Sequence, residues 1–362
     1  MNSERLEFGL PRISAEKNPE SSSAELLIDP IEKIREIPGT EGFYNAAAWE
    51  INGTTFLLGR KVRYAGTEKE PDVGSLILLA LGTNGNIVSS KEIWQPKVGG
   101  HSLEDVRAQL LTDDRVAFGL TSVAHEGDDF IPYPAVLITS NKDLMEGTLP
   151  EPEVIKIIGK GDQTTPLGED LSVTTGKNVT AISPNLFAFR PEGDSNNHRL
   201  QLFEYQNKGS KVTHRQYIDF PDTIPWAEYR VGTTMPPVWL NKNEAFLPIH
   251  GIKIVDGKYV YSIGTARLFR DENEMLSVDN ISQKPIIDPD LFAGMFKSDE
   301  IELHDFRRVV YCCGGIPVCN DSGEAEHLKL YVNVGDKRTV EVTISMDKII
   351  KSWQRSRLTE VL

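Results

Sequence analysis

From Gly39 onward the chain is written in short apolar runs separated by turn formers. Thr55-Phe56-Leu57-Leu58, Ser75 to Ala80, Ala135 to Thr139, Leu200 to Tyr205, Tyr259 to Ile263 and Leu328 to Val332 are each of strand length and bounded by Gly, Asn, Asp or Pro clusters. The body is therefore expected to be all-β. Ile51-Asn52-Gly53, Thr112-Asp113-Asp114, Asn241-Lys242-Asn243 and Val255-Asp256-Gly257 each place a turn ahead of a hydrophobic strand and predict hairpins. Such turns recur without the tight identity of a WD or kelch array. A five-bladed β-propeller with divergent blades over residues 39–345, roughly 60 residues per blade, fits this pattern. Periodicity alone leaves a two-sheet sandwich open.

The two ends read differently. Residues 1–38 are polar, with Glu16-Lys17-Asn18-Pro19-Glu20 followed by three serines, and predict a flexible or loosely docked extension. Residues 346–362 predict an amphipathic helix on the outside of the propeller, with Ile349, Ile350, Trp353 and Leu358 near one face. That helix offers either a homo-oligomer contact or a brace.

Composition narrows the function. Of 362 residues, 39% are hydrophobic and 25% charged, the mixture of a folded chain with a sizeable core. The 39 basic residues against 53 acidic ones give a net charge of -14, which argues against nucleic acid as a partner. An anionic substrate then needs a local basic pocket. Met1 to Pro11 carries no basic segment followed by an apolar run, and no membrane-length apolar stretch occurs, so no membrane partner and a cytoplasmic location are expected. Cys312, Cys313 and Cys319 lie close together with only His327 nearby, and read as small buried side chains in a strand rather than a metal site.

Three sets of residues carry candidate chemistry. In Leu103-Glu104-Asp105-Val106-Arg107 one carboxylate can serve as general acid, with Arg107 orienting it or pairing with a substrate oxygen. Asn45 precedes one strand and Arg60 ends the next; an amide and a guanidinium at one mouth of a propeller suit sugar hydroxyls. Lys177, Arg190, His250 and Tyr261 together offer the donors and positive charge that a phosphate dianion requires. For each set the plainer alternative is a solvated surface group or a structural histidine.

The order of these pieces resembles glycoside hydrolase family 130, five-bladed propellers that include β-mannoside phosphorylases and β-1,2-mannosidases. The resemblance spans about Gly42 to Ser345 and rests on Tyr44-Asn45-Ala46, Leu58-Gly59-Arg60, Glu104-Asp105-Val106-Arg107 and Phe189-Arg190-Pro191. Met235-Pro236-Pro237, Ile249-His250-Gly251, Tyr311-Cys312-Cys313-Gly314-Gly315 and Tyr331 to Asp336 continue it. Alanine and valine stand at Ala46 and Val106, where the family carries prolines. The resemblance implies Asp105 as catalytic acid, Asn45, Arg60, Arg107 and Asp336 as substrate-binding residues, and Lys177, Arg190, His250 and Tyr261 as phosphate ligands. The activity it implies is inverting phosphorolysis of β-mannosides to mannose 1-phosphate, a glycosyltransferase by reaction class. Inorganic phosphate would be co-substrate, with no other cofactor and no metal. The alternatives are a β-mannoside hydrolase, a mannosyltransferase-phosphorylase, and a non-catalytic carbohydrate-binding propeller.

Overall fold

The computed structural model describes residues 29–62, 74–96, 102–126, 129–158, 175–192, 197–206, 211–293, 308–335 and 338–359. After a first strand, β1 (Ile31–Glu36), the chain builds five sheets in succession. The first holds β2 (Phe43–Ile51), β3 (Thr54–Val62), β4 (Gly74–Leu81) and β5 (Ile87–Trp94). The second holds β6 (Ser102–Leu110), β7 (Arg115–Glu126), β8 (Asp129–Ser140) and the short β9 (Glu153–Val154), with helix α1 (Asn141–Glu146) following β8. The third runs from β11 (Gly176–Ser183) through β12 (Leu186–Pro191) and β13 (Arg199–Glu204) to β14 (Lys211–Asp219), and β10 (Lys156–Ile158) adds in parallel at its edge. The fourth contains β15 (Arg230–Thr233), β16 (Val238–Trp239), β17 (Glu244–Val255), β18 (Lys258–Arg270) and β19 (Leu276–Asp279). The fifth contains β20 (Val310–Cys319), β21 (Ala325–Val334) and β22 (Arg338–Ser345). This is a five-bladed β-propeller.

The expected hairpins form where the turn chemistry places them. Asn52-Gly53 joins β2 to β3 and Asp256-Gly257 joins β17 to β18, and all four residues have positive φ, which Asn, Asp and Gly tolerate best. Five apolar clusters hold the blades together, one at each junction between neighbours. Leu58 and Leu76 meet Val106 and Phe118, for example, and Ile182 and Leu202 meet Val231 and Leu247. A blade is thus buried on both faces, which explains why β4 is buried along its whole length and reads as a continuous apolar run.

Ring closure corrects the boundary drawn at residue 39. β1 pairs antiparallel with β22, Ile34 opposite Val342 and Glu36 opposite Val340, so the outermost strand of the last blade comes from the polar N-terminal stretch. Arg35 reaches Glu341 at 2.5 Å, a carboxylate only 5% exposed. Residues 1–28 of the expected extension lie outside the described residues. Helix α2 (Met346–Thr359) packs Met346, Ile349 and Trp353 into the junction of blades four and five, the Trp353 ring stacked on Phe246 at 5.9 Å. Cys312 and Cys313 are buried as expected, whereas Cys319 is exposed, because β20 leaves the core beyond Ile316. Among the described residues no helix is long and apolar enough to cross a membrane.

Candidate active site

The innermost strands of blades one, two and three share a local irregularity. Their register with the next strand skips between Tyr44 and Ala47, between Glu104 and Arg107, and between Lys177 and Thr180. At each skip the second residue adopts a left-handed backbone: Asn45 (φ 53°), Asp105 (φ 54°) and Asn178 (φ 62°). Non-glycine residues seldom take this conformation, and Asn and Asp are the usual exceptions because their short polar side chains bond locally. A β-bulge re-aims its side chain. These three bring two amides and a carboxylate into one cavity of about 590 Å³, whose wall also includes Lys177, Arg190, His250 and Tyr261. The volume is ordinary for a small-molecule site.

Asp105 is held at both oxygens. The Asn45 Nδ2 donates to Oδ1 at 2.8 Å and the Tyr311 hydroxyl lies 3.2 Å from Oδ2. Asn333 Nδ2 approaches Asn45 Oδ1 at 3.4 Å, which orients the Asn45 amide with its NH2 toward the acid.

Arg107 lies elsewhere than expected. Its side chain is 1% exposed and does not line the cavity. The guanidinium donates to the backbone oxygens of Thr234 (3.0 Å), Asp105 (2.7 Å) and Thr233 (3.2 Å), to Asn178 Oδ1 (3.2 Å) and to the Tyr311 hydroxyl (2.8 Å). With its donors engaged by protein, Arg107 organises the floor of the site instead of meeting a substrate. Arg60 is likewise absent from the cavity wall; it pairs with Glu104 and lies over the Tyr44 ring at 5.1 Å. Glu104, the sequence neighbour of Asp105, thus claims it. Asp336 lies outside the described residues.

The other side of the cavity is cationic. Lys177, Arg190, Arg230 and Lys258 line it against Asp105, whose carboxylate is the one carboxylate of the wall among the described residues, in a chain whose net charge is -14. Behind Arg190 stands Glu192, at 2.5 Å from Arg190 and 3.6 Å from Arg230. Burial pushes the Glu192 carboxyl up, but Arg190, Arg230 and Lys177 together hold it below the usual carboxylate range, so it is ionised. His250 does not add positive charge as expected. Its complete burial, then the nearby Arg190 and Arg107, hold its imidazole well below the ordinary value of 6.5, so the ring is neutral. Its Nε2 faces Asn178 Nδ2 at 3.3 Å, which makes that nitrogen the acceptor. Gly232 on β15 leaves the space for this pair: a Cβ there would stand 2.5 Å from His250 Cε1 and 2.8 Å from Asn178 Nδ2.

Four residues of the site escape a reading of the sequence by itself: Asn178, Arg230, Lys258 and Tyr311. For Asn178 a signal exists, since Lys177-Asn178-Val179 repeats the pattern of Tyr44-Asn45-Ala46 and Glu104-Asp105-Val106, an Asx residue before a small or branched apolar one. Nothing local marks Arg230 or Tyr311.

No protein-family model matches the sequence, and no curated protein does. Solved structures do resemble the fold. A glycosyl hydrolase from Bacteroides ovatus aligns with a TM-score of 0.61 at 14% identity, over 88% of this chain and 92% of that one. The β-1,2-mannobiose phosphorylase from Listeria innocua aligns with a TM-score of 0.57 at 15% identity, over 89% of this chain and 96% of that one. A third structure comes from work on the GH130 family of mannoside phosphorylases, described as containing hydrolases that target β-1,2-mannosidic linkages in Candida mannan. It aligns with a TM-score of 0.57 at 12% identity over 96% of both chains. At these identities what this chain shares with them is the fold.

Proposed function

We propose that the protein is an inverting β-mannoside phosphorylase. The observation that carries this reading is the charge layout of the cavity, among the described residues one carboxylate against four cationic side chains. An inverting hydrolase needs a second carboxylate to take a proton from water, whereas phosphate is itself the nucleophile and needs positive charge around it. Asp105 gives its proton to the glycosidic oxygen as the bond from that oxygen to the anomeric carbon breaks. A phosphate oxygen held by Lys177, Arg190 and Arg230 forms the new bond from the opposite face. Mannose 1-phosphate of inverted configuration and a shortened acceptor leave, and phosphate is the only co-substrate. The mannoside phosphorylases and hydrolases among the structures of similar fold support the sugar class.

The test is incubation with β-1,2- and β-1,4-mannobiose, with and without inorganic phosphate. Mannose 1-phosphate formed only with phosphate is the expected product. Free mannose released at the same rate without phosphate would reject phosphorolysis.

One observation favours a second reading, hydrolysis. Glu192 is ionised beside the cavity and neutralises part of the charge of Arg190 and Arg230. Glu192→Gln separates the two. For a phosphorylase it frees both guanidinium groups and tightens phosphate binding several-fold; for a hydrolase using Glu192 as base it abolishes the release of mannose into water.

A further inference from the structure

The Tyr311 hydroxyl stands where the acid side of the cavity meets the cationic side. It accepts from Arg107 Nη2 at 2.8 Å, which leaves its single proton to donate to one of two acceptors, Asn178 Oδ1 at 2.7 Å or Asp105 Oδ2 at 3.2 Å. Asn178 Oδ1 has a second donor in Arg107 Nη2 at 3.2 Å, so it stays satisfied when the hydroxyl turns away. Asp105 Oδ2 gains what Asn178 can spare.

We infer that Tyr311 is a positioning residue for the acid: its hydroxyl rests on Asn178 while Asp105 is protonated and turns to Asp105 Oδ2 as that carboxyl gives up its proton. This rests on reading Asp105 as the general acid. No covalent bond of Tyr311 changes; the O–H only rotates between two acceptors, and the proton that moves is that of Asp105. The bond to Asp105 strengthens as negative charge develops there, so it favours the transition state over the ground state and acts on kcat instead of KM. The ring is fixed for this task. It is 7% exposed, packs against the His250 imidazole with centroids 4.8 Å apart and meets Tyr261 edge-on at 6.3 Å. Burial raises the phenol well above its usual range, which keeps it a neutral donor.

The experiment follows the Asp105 carboxyl directly, by carbon NMR of aspartate-labelled protein, with the signal assigned by its loss in Asp105→Asn. The other charged or titratable groups near this carboxyl among the described residues are Arg107 on its own strand, Cys313 on β20, the Arg60–Glu104 pair and, across the cavity, Lys177, Arg190, Arg230, Lys258 and the neutral His250. All are present in both proteins compared, so they cancel. In Tyr311→Phe the midpoint measured for the Asp105 signal moves upward, because a donor to the charged form is gone. On a β-mannoside kcat then falls at least about tenfold while KM stays within about twofold. An unmoved midpoint overturns the inference, whatever the activity, since a merely structural ring is retained in Phe. A moved midpoint in a protein that turns over no β-mannoside upholds the hold of Tyr311 on the carboxyl and sinks only the functional reading. Should Tyr311→Phe fail to fold, 3,5-difluorotyrosine at position 311 keeps the ring and strengthens the donor. The midpoint then moves downward, and one that stays in place overturns the inference equally.

Discussion

Gly232→Ala adds one methyl group at the point where the cationic side of the cavity is assembled. The new Cβ would lie 2.5 Å from His250 Cε1 and 2.8 Å from Asn178 Nδ2, against 3.4–4 Å for an ordinary contact. The imidazole has to retreat by about 1 Å. Both neighbours are buried, His250 at 1% and Asn178 at 2% exposure, and the Tyr311 ring stands behind the imidazole at 4.8 Å. The strain of such overpacking costs about 1–3 kcal/mol, which lowers the melting temperature by a few degrees in a chain of this size. The 3.3 Å contact between Asn178 and His250 does not survive the shift, and its loss with the attendant misplacement weakens phosphate binding about tenfold. Titration calorimetry with inorganic phosphate measures this, beside a thermal melt. Gly264→Ala is the control: its Cβ would stand 2.2 Å from the Trp226 ring, away from the cavity, so it lowers the melting temperature and spares phosphate affinity. Wild-type phosphate affinity in Gly232→Ala, or equal loss in both variants, would refute the placement of the anion on the cationic side of the cavity that the Asn178–His250 pair supports.

Three further outcomes are expected. Because native His250 resists the proton that an unfolded histidine takes up near 6.5, the protein loses stability as pH falls through that value. The difference in melting temperature between about pH 7.5 and about pH 5.5 is therefore smaller in His250→Asn than in wild type, and an equal difference counts against a buried neutral ring. Arg35→Met strands the Glu341 carboxylate at the closing strand and costs about 2–3 kcal/mol by urea denaturation, whereas Arg199→Met, which breaks the more exposed pair with Asp219, stays within about 0.5 kcal/mol. Asp105→Asn removes the proton donor and lowers turnover of β-mannosides by at least about a hundredfold, while the Asn45 amide retains an oxygen to bond and the melting temperature changes little.

The elements were legible in the chain because strands and hairpins are written locally. Asn52-Gly53 and Asp256-Gly257 announce their turns, and apolar runs such as Ser75 to Ala80 mark strands covered on both faces. The closing strand was not legible. Ile31-Glu-Lys-Ile-Arg-Glu36 is an edge strand with polar positions, and only its pairing with β22 and the Arg35–Glu341 contact make it one. Within the candidate site the same division holds. Asn45, Asp105, Lys177, Arg190, His250 and Tyr261 are residues whose type and setting attract notice, and all of them face one cavity. Arg107 carries the same charge as Arg190 and differs only in its surroundings: five acceptors from four blades close over its guanidinium.

The sequence by itself determined the core strands and their hairpin turns, the repeated Asx positions at the bulges and the types of chemical group available, since each depends on a residue and its near neighbours. The tertiary structure decided which groups meet. Convergence on the propeller axis joins residues separated by more than 200 positions, as Asp105 and Tyr311 are. It also decided which groups carry charge, because the neutral state of His250 and the ionised state of Glu192 follow from burial and from neighbours contributed by other strands.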